Sequence, residues 1–384
     1  MYGSIAGVGG LGLQAGNAIS GLALSGDDIH AFGPGFRKVW PLDPLPENVT
    51  WHAAPPGVPP WRSRFTPLRW NAGALQGQND RKLGRWAARE IARLKPDLCY
   101  TFTQVGRETL QWCEGAGVPS ILENPNGHIR NFRRVYDSES SKWSCGAFHG
   151  HPGVPMIERI EQEYALADRI RLSSEWSRNS MLEYGVSGAN LTVLDQPMNL
   201  VRFLAPEAVR PGAGALRVCF VGSLDLRKGF VYLLQAIRLI GARHIALDIV
   251  GATGDRCSKA LLDRESRDLE MNCAPGDPAT AYQRAELAVI SSLEDGLPFV
   301  AGEAMASGLP VIITSSCGSA DWAETDTTGW VVQPASAESI ASALDIALGK
   351  RAKLPAMGRA ARQAIERRGA PQVAETFASW ACET

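Results

Sequence analysis

Strand-like and helix-like blocks alternate along the whole chain. In DRKLGRWAAREIARL (80–94), Leu83, Trp86, Ala87, Ile91 and Leu94 share one face, which predicts a helix. KPDLCYTF and VPSILEN (118–124) read as strands. EQEYALAD (161–168) predicts a helix, RIRLSS an extended run, EWSRNSMLEYGV a helix, and LTVLDQP (191–197) a short strand. Around 202–214 the chain turns rich in Pro, Gly and Ala (VRFLAPEAVRPGAGA), the composition of a linker. The alternation then restarts. LRVCFVGSLD predicts a strand and turn, KGFVYLLQAIRLI a helix, and HIALDIVGA and ELAVISS strands. GEAMASG reads as a short helix, and LPVIITS and GWVVQPAS as strands. Ser336 has the position of an N-cap for a helix carrying Ile340, Leu344 and Leu348. In the last segment, Val373, Phe377 and Trp380 share a face.

Alternating β and α elements imply parallel sheets covered by helices on both faces. Two such runs around a linker predict an α/β protein of two Rossmann-like domains. We expect the first at 1–203 and the second at 215–365, with 366–384 forming a helix that returns to the first. Open sheets of this kind bind ligands beyond the carboxyl ends of their strands. Two facing domains would hold a ligand in the cleft between them.

Composition narrows the classes. A chain of 384 residues is long enough for two cores. A formal net charge of -1 argues against a nucleic-acid partner. The 8 cysteines are scattered without a C-x-x-C pair, which argues against a zinc or redox motif; several, such as Cys219, read as small core residues, and a reducing compartment fits this usage. No apolar run reaches the length of a membrane span, and the N-terminus lacks the layout of a signal peptide. The expected location is the cytoplasm. The opening MYGSIAGVGGLG leaves almost no room for the strand that normally precedes a glycine-rich loop. Either the natural start lies upstream of Met1 or that strand is very short; the intact mass of the native protein decides.

Two segments carry chemistry. In VGSLDLRKGF (221–230) a strand ends at Val221, Gly222 turns, and a helix starts near Gly229. Helix N-termini attract phosphate, and Arg227 and Lys228 add full charges there. Equally, such a segment serves as a plain strand–turn–helix with two solvated cations. In SSLEDGLPFVAGEAMASGLPVI (291–312), Asp295 and Glu303 flank an apolar run and need partners from elsewhere. We expect Glu303 near a helix start, where a carboxylate either accepts bonds from vicinal hydroxyls or interacts with its own helix N-terminus.

Together the segments resemble glycosyltransferase family four, retaining enzymes of the GT-B fold. Gly222 to Gly229 is similar to the family's G-R-x-x-x-x-K-G. Asp295 to Ile312 is similar to its E-G-F-G-L-x-x-x-E-A-M-A-x-G-x-P-V-I, and Gly329-Trp330-Val331-Val332 to its G-x-L-V segment. The likeness is clear from about 218 to 348 and weak before Asp97. It implies that Glu303 binds the ribose of a UDP- or GDP-sugar co-substrate, with no permanently bound cofactor. It further implies that Asp295 faces the donor sugar and that Lys228 holds the pyrophosphate and stabilises the leaving charge. Gly222, Arg227, Gly296, Leu297 and Phe299 would complete the donor site. Three departures stand out. Asp295 is shorter than the family's Glu, with Glu294 beside it. Ser223 replaces a phosphate-binding Arg, whose charge Arg227 would supply. Pro298 replaces a Gly and removes an N–H donor.

Gly10 and Gly12, in a Gly7–Gly12 loop, fit the same donor scheme. A nicotinamide-binding protein also has such a loop, yet no acidic residue follows a clean strand, and Asp27-Asp28 lie in a turn-like SGDD. His128 in ENPNGHIRNF is the candidate catalytic histidine near the acceptor; its alternative is polar surface. His149 and His151 lack the companions of a metal site, and no D-x-D triplet occurs, so we expect metal-independent chemistry. In PPWRSRFTPLRW (59–70), Trp61, Phe65 and Trp70 alternate with Arg62, Arg64 and Arg69. This suits an anionic membrane surface, a polysaccharide, or an ordinary loop. The expected acceptor is a glycan, lipid-linked or small molecule, in a setting such as polysaccharide biosynthesis, with peripheral membrane contact an open option. Two alternatives stand beside this: a GT-B nucleotide-sugar epimerase, and an inactive glycan-binding or regulatory relative.

Overall fold

The computed structural model describes residues 6, 9–56, 72–145, 151–203, 214–366, 368 and 371–383. The chain divides into two compact units. The first takes residues from 1–133, 149–197 and 370–384, and the second from 134–148 and 198–369. Segment 59–70, Gly7, Val8, His149 and most of the linker lie outside the described residues.

In the first unit β1 (Ile29–Gly33) pairs in parallel with β2 (Val49–Ala53). A second parallel sheet runs β3 (Cys99–Phe102), β4 (Ser120–Glu123), β5 (Arg169–Leu172) and β6 (Leu191–Val193), in that order. These last four are extended runs read from the sequence. β1 and β2 escape that reading because each carries a histidine and alternates poorly. Arg171 and Glu123 are buried in the sheet as an ion pair of 2.8 Å. Such a pair is costly unless its remaining groups are bonded. Gln196 donates to Glu123, Tyr100 hydrogen-bonds it as well, and Arg171 donates to the carbonyl of Asp195.

The glycine-rich start is not a loop among the described residues. Gly9–Ala23 is a helix, and within it Gly16 and Gly21 serve close packing. A Cβ at Gly16 would lie 2.9 Å from Pro41, and one at Gly21 would lie 2.5 Å from Phe377. Phe377 belongs to the helix Pro371–Cys382, which packs on Gly9–Ala23 within this unit.

The second unit is one parallel sheet of six strands: β7 (Leu216–Val221), β8 (Ile245–Val250), β9 (Met271–Ala274), β10 (Leu287–Ile290), β11 (Val311–Thr314) and β12 (Gly329–Val332). The spatial order is β12-β11-β10-β7-β8-β9. β10 and β11 are buried throughout, as strands covered on both faces should be. Helix Phe230–Ile240 packs on helix Ala337–Gly349 over Val218, Phe220 and Ile340, and Ser336 caps the latter by accepting the Ser339 N–H. The chain winds outward from β7 to β9, returns, and winds the other way from β10 to β12. β7 and β10 therefore flank the topological switch point, where open sheets form a ligand crevice.

The cysteine reading needs correction. Cys145 and Cys257 form a disulfide, their Cα atoms 5.8 Å apart, and both lie in the second unit. Their distance along the chain hid a pairing that only the fold creates. Cys99, Cys113, Cys219 and Cys317 are buried free thiols, while Cys273 and Cys382 are exposed. Among the described residues no helix is long and apolar enough to cross a membrane.

Candidate functional site

Two loops meet at the switch point. The first leaves β7 at Val221. Asp225 caps a single 3-10 turn, Leu226–Lys228, by accepting the Lys228 N–H at 3.0 Å. The Ser223 hydroxyl donates to the other Asp225 oxygen at 2.6 Å, so Ser223 is engaged within its own loop. Gly229 is left-handed (φ 66), and a Cβ there would sit 2.0 Å from the Ser291 carbonyl oxygen. Glycine alone meets both conditions, and the loop thereby presses against the end of β10.

The second loop leaves β10. Its Leu293 N–H donates to the Arg227 carbonyl at 2.7 Å, and the Ser291 hydroxyl donates to the Lys228 carbonyl at 3.0 Å. Asp295 is fixed by its backbone: its N–H donates to the Ser316 carbonyl, and its carbonyl accepts the Gly318 N–H. Three loops, after β7, β10 and β11, are thus tied into one scaffold.

The partner that Asp295 needs comes from this scaffold. Its carboxylate is 7% exposed and hydrogen-bonded to the Lys228 ammonium, with Arg227 Nη1 3.9 Å away. Burial pushes the Asp295 carboxyl up, but the Lys228 and Arg227 charges together outweigh it and hold the group below the usual carboxylate range. Arg227 donates to the Glu294 carbonyl at 2.8 Å and faces the Asp225, Glu294 and Asp295 carboxylates, which keep it charged despite burial. Tyr136 also faces Arg227; burial first, then the Asp225 charge, push its phenol up to about 12, while Arg227 opposes the rise.

The helix beyond this loop starts earlier than expected. It spans Phe299–Ala306, directly after Pro298, whose fixed φ suits entry into a first turn. Glu303 therefore stands in the second turn, beyond reach of the first-turn N–H groups. Its Oε2 instead accepts the Tyr282 hydroxyl at 3.0 Å. Burial raises the Glu303 carboxyl, the Tyr282 bond and the Arg202 charge lower it, and Asp277 raises it. The helix N-terminus has no side-chain cap. Gly302 lets the helix pack on Met198, since a Cβ there would lie 2.1 Å from the Met198 methyl.

The second unit thus brings Gly222, Arg227, Lys228, Asp295, Gly296, Leu297, Phe299 and Glu303 onto the two loops and the helix they lead into. Gly10, Gly12 and His128 belong to the first unit. Gly10 and Gly12 open the helix Gly9–Ala23. His128 is not polar surface: it is 2% exposed and stacked on Tyr184, ring centroids 4.7 Å apart. Its Nδ1 accepts the Arg130 N–H at 3.2 Å, and Nε2 lies 3.9 Å from Glu161. Burial lowers its pKa to about 4, so the ring is neutral near pH 7. Sequence reasoning missed Tyr282 and Tyr136, which reach the site from other elements and carry no motif. Asp225 did carry a signal, as a capping residue three before the Lys228 N–H. Among the described residues no three His, Cys, Asp or Glu side chains cluster as metal ligands.

Residues 215–349 match the profile of a family described as glycosyl transferases group 1. An uncharacterized glycosyltransferase of Methanocaldococcus jannaschii is 31% identical over 136 residues, 33% of this chain and 34% of that protein. The chain thus spans about a third of that curated relative. Among solved structures, sucrose-phosphate synthase from Thermosynechococcus elongatus is similar with a TM-score of 0.73 over 100% of this chain and 95% of that one, at 19% identity. Anabaena HepE, solved in complex with UDP-glucose, gives 0.66 over 100% and 97%, at 14% identity. At such identities the likeness is one of fold, and the fold is GT-B.

Proposed function

We propose that the protein, whose residues 215–349 match the glycosyl transferases group 1 profile, moves a sugar from a UDP- or GDP-sugar to a glycan, lipid-linked or small-molecule acceptor. One observation carries the reading. Lys228, Asp295 and the uncapped helix Phe299–Ala306 converge at the switch point of a parallel sheet, where a phosphate finds cations and free N–H groups together. That Anabaena HepE was solved with UDP-glucose supports the donor class.

In this mechanism Lys228 leaves Asp295 for the diphosphate and stabilises the charge that grows on it. Arg227, tied to Glu294 and Asp295, adds to the positive potential rather than reaching out as a free arm. Gly222 gives the first loop its close approach, while Gly296, Leu297 and Phe299 border the sugar and phosphates. Asp295, released by Lys228, faces the sugar. The bond between the anomeric carbon and the phosphate oxygen breaks. The bond to the acceptor oxygen forms on the same face, and the acceptor proton passes to the leaving phosphate oxygen. The configuration is retained without an enzyme nucleophile or a metal. Glu303 holds the ribose. In the first unit, Gly10 and Gly12 at a helix start suit an anionic or hydroxylic group, and His128, buried and neutral, shapes the acceptor side without exchanging protons.

The test is product analysis with UDP- and GDP-sugars. Acceptor-dependent release of nucleoside diphosphate with a new glycoside is expected, and turnover should fall at least about tenfold in Lys228→Ala with smaller change in KM. Conversion of the sugar without an acceptor would turn the reading to an epimerase. No consumption of any donor would turn it to an inactive glycan binder.

A further inference from the structure

We propose that Tyr282 is a positioning residue that presents the Glu303 carboxylate to a cis-diol, the ribose of the nucleotide. This rests on the nucleotide-sugar reading above and adds to it how the diol is recognised. Tyr282 lies in the helix Pro278–Arg284, which precedes β10, and is 1% exposed. Its ring is held edge-on by Phe203, centroids 5.9 Å apart. The hydroxyl reaches Glu303 Oε2 at 3.0 Å and lies 3.4 Å from the Val300 carbonyl oxygen. Its one proton serves the nearer acceptor, the carboxylate.

The arrangement divides the work of the two carboxylate oxygens. Oε2 is gripped from behind by a rigid, buried donor, which fixes the rotamer of a long side chain. Among the described residues no hydrogen bond occupies Oε1, so it stands ready for a ligand hydroxyl. Burial and the Glu303 charge hold the Tyr282 phenol far above its ordinary pKa, so it remains a donor throughout the useful pH range. The same bond opposes the upward pull of burial on Glu303 and favours the ionised form that accepts hydroxyls. The other charges facing Glu303 are Arg202, which assists, and Asp277, which opposes. They form an exposed ion pair of 2.8 Å and partly cancel.

The experiment is calorimetric titration of wild type, Tyr282→Phe and Glu303→Ala with UDP and GDP. The 2′,3′-dideoxy analogues of both, which lack the diol, are run beside them, from pH 5 to 8. In Tyr282→Phe the affinity for the natural nucleotide should fall about three- to tenfold, and its acid limb should move to higher pH. Affinity for the dideoxy analogue should stay within twofold of wild type. Equal loss for both ligands would mean a merely structural role and would overturn the proposal. So would an unchanged Tyr282→Phe beside a weakened Glu303→Ala. If Glu303→Ala itself binds as wild type, or neither nucleotide binds, the donor-site reading fails first, and this inference with it.

Discussion

Asp295 is claimed by two cations of its own chain, Lys228 and Arg227. A carboxylate tied to Lys228 competes with the diphosphate that Lys228 should hold. On the proposed function, Asp295→Asn removes both the competitor and the group that faces the sugar. The expected result is a split: nucleoside diphosphate binds as tightly as to wild type or tighter, while turnover falls at least about tenfold. Parallel losses of both, measured by titration and initial rates, would mean that Asp295 only supports the loops. In the first unit two buried groups titrate in opposite senses. His128 is lowered to about 4 by burial, so its contribution is full above pH 6.5 and is lost as pH falls toward 4. Glu163, which accepts the Arg107 N–H at 3.0 Å, is raised to about 7 by burial, with Arg159 opposing. Its contribution is full below pH 4.5 and is lost as pH rises through 7. The two largely cancel, each being worth on the order of 3 kcal/mol. His128→Phe should therefore leave a unit that gains stability on acidification from pH 7 to 4.5, and Glu163→Gln one that loses it. Denaturant midpoints across that range read the slope, and equal slopes in all three proteins would refute both assignments. Lys228, Asp295 and Glu303 could be picked out from the sequence because they lie in contiguous motifs. Tyr282 could not, because its value depends on a helix folding back onto Glu303.

At the scale of elements, glycine means different things in different places. Gly229 is a conformational requirement, left-handed and touching the end of β10. Gly229→Ala should cost about 2 kcal/mol or more and separate the two loops. Lower stability of the second unit with lost nucleotide binding is expected; a neutral variant would show that the loops do not depend on this approach. Gly16 and Gly21 are packing sites instead, letting one helix approach Pro41 and Phe377. The Gly7–Gly12 run predicts a loop, yet the chain is helical from Gly9 to Ala23. The helix Phe299–Ala306 starts directly after Pro298, whose fixed φ suits entry into a first turn. β10 and β11 are readable because burial on both faces writes continuous hydrophobic runs.

For the whole molecule, the order of the six strands decides which loops meet in the second unit. β7 and β10 are far apart in sequence, and their adjacency turns two separate motifs into one site. The pairing of Cys145 with Cys257 has the same origin, and neither is visible without the topology. If the donor site belongs to the second unit, nucleotide binding should stabilise that unit foremost. The decisive measurement is thermal unfolding of the intact chain with and without UDP, GDP and their sugar conjugates. A ligand at a hundred times its Kd, bound by the folded state alone, adds about 2.7 kcal/mol, or about 5–10 °C for a unit of this size. The account predicts such a shift for at least one nucleotide in wild type, and its loss when Lys228→Ala and Glu303→Ala are combined. No shift with any nucleotide, or a shift that survives the double substitution, would contradict it.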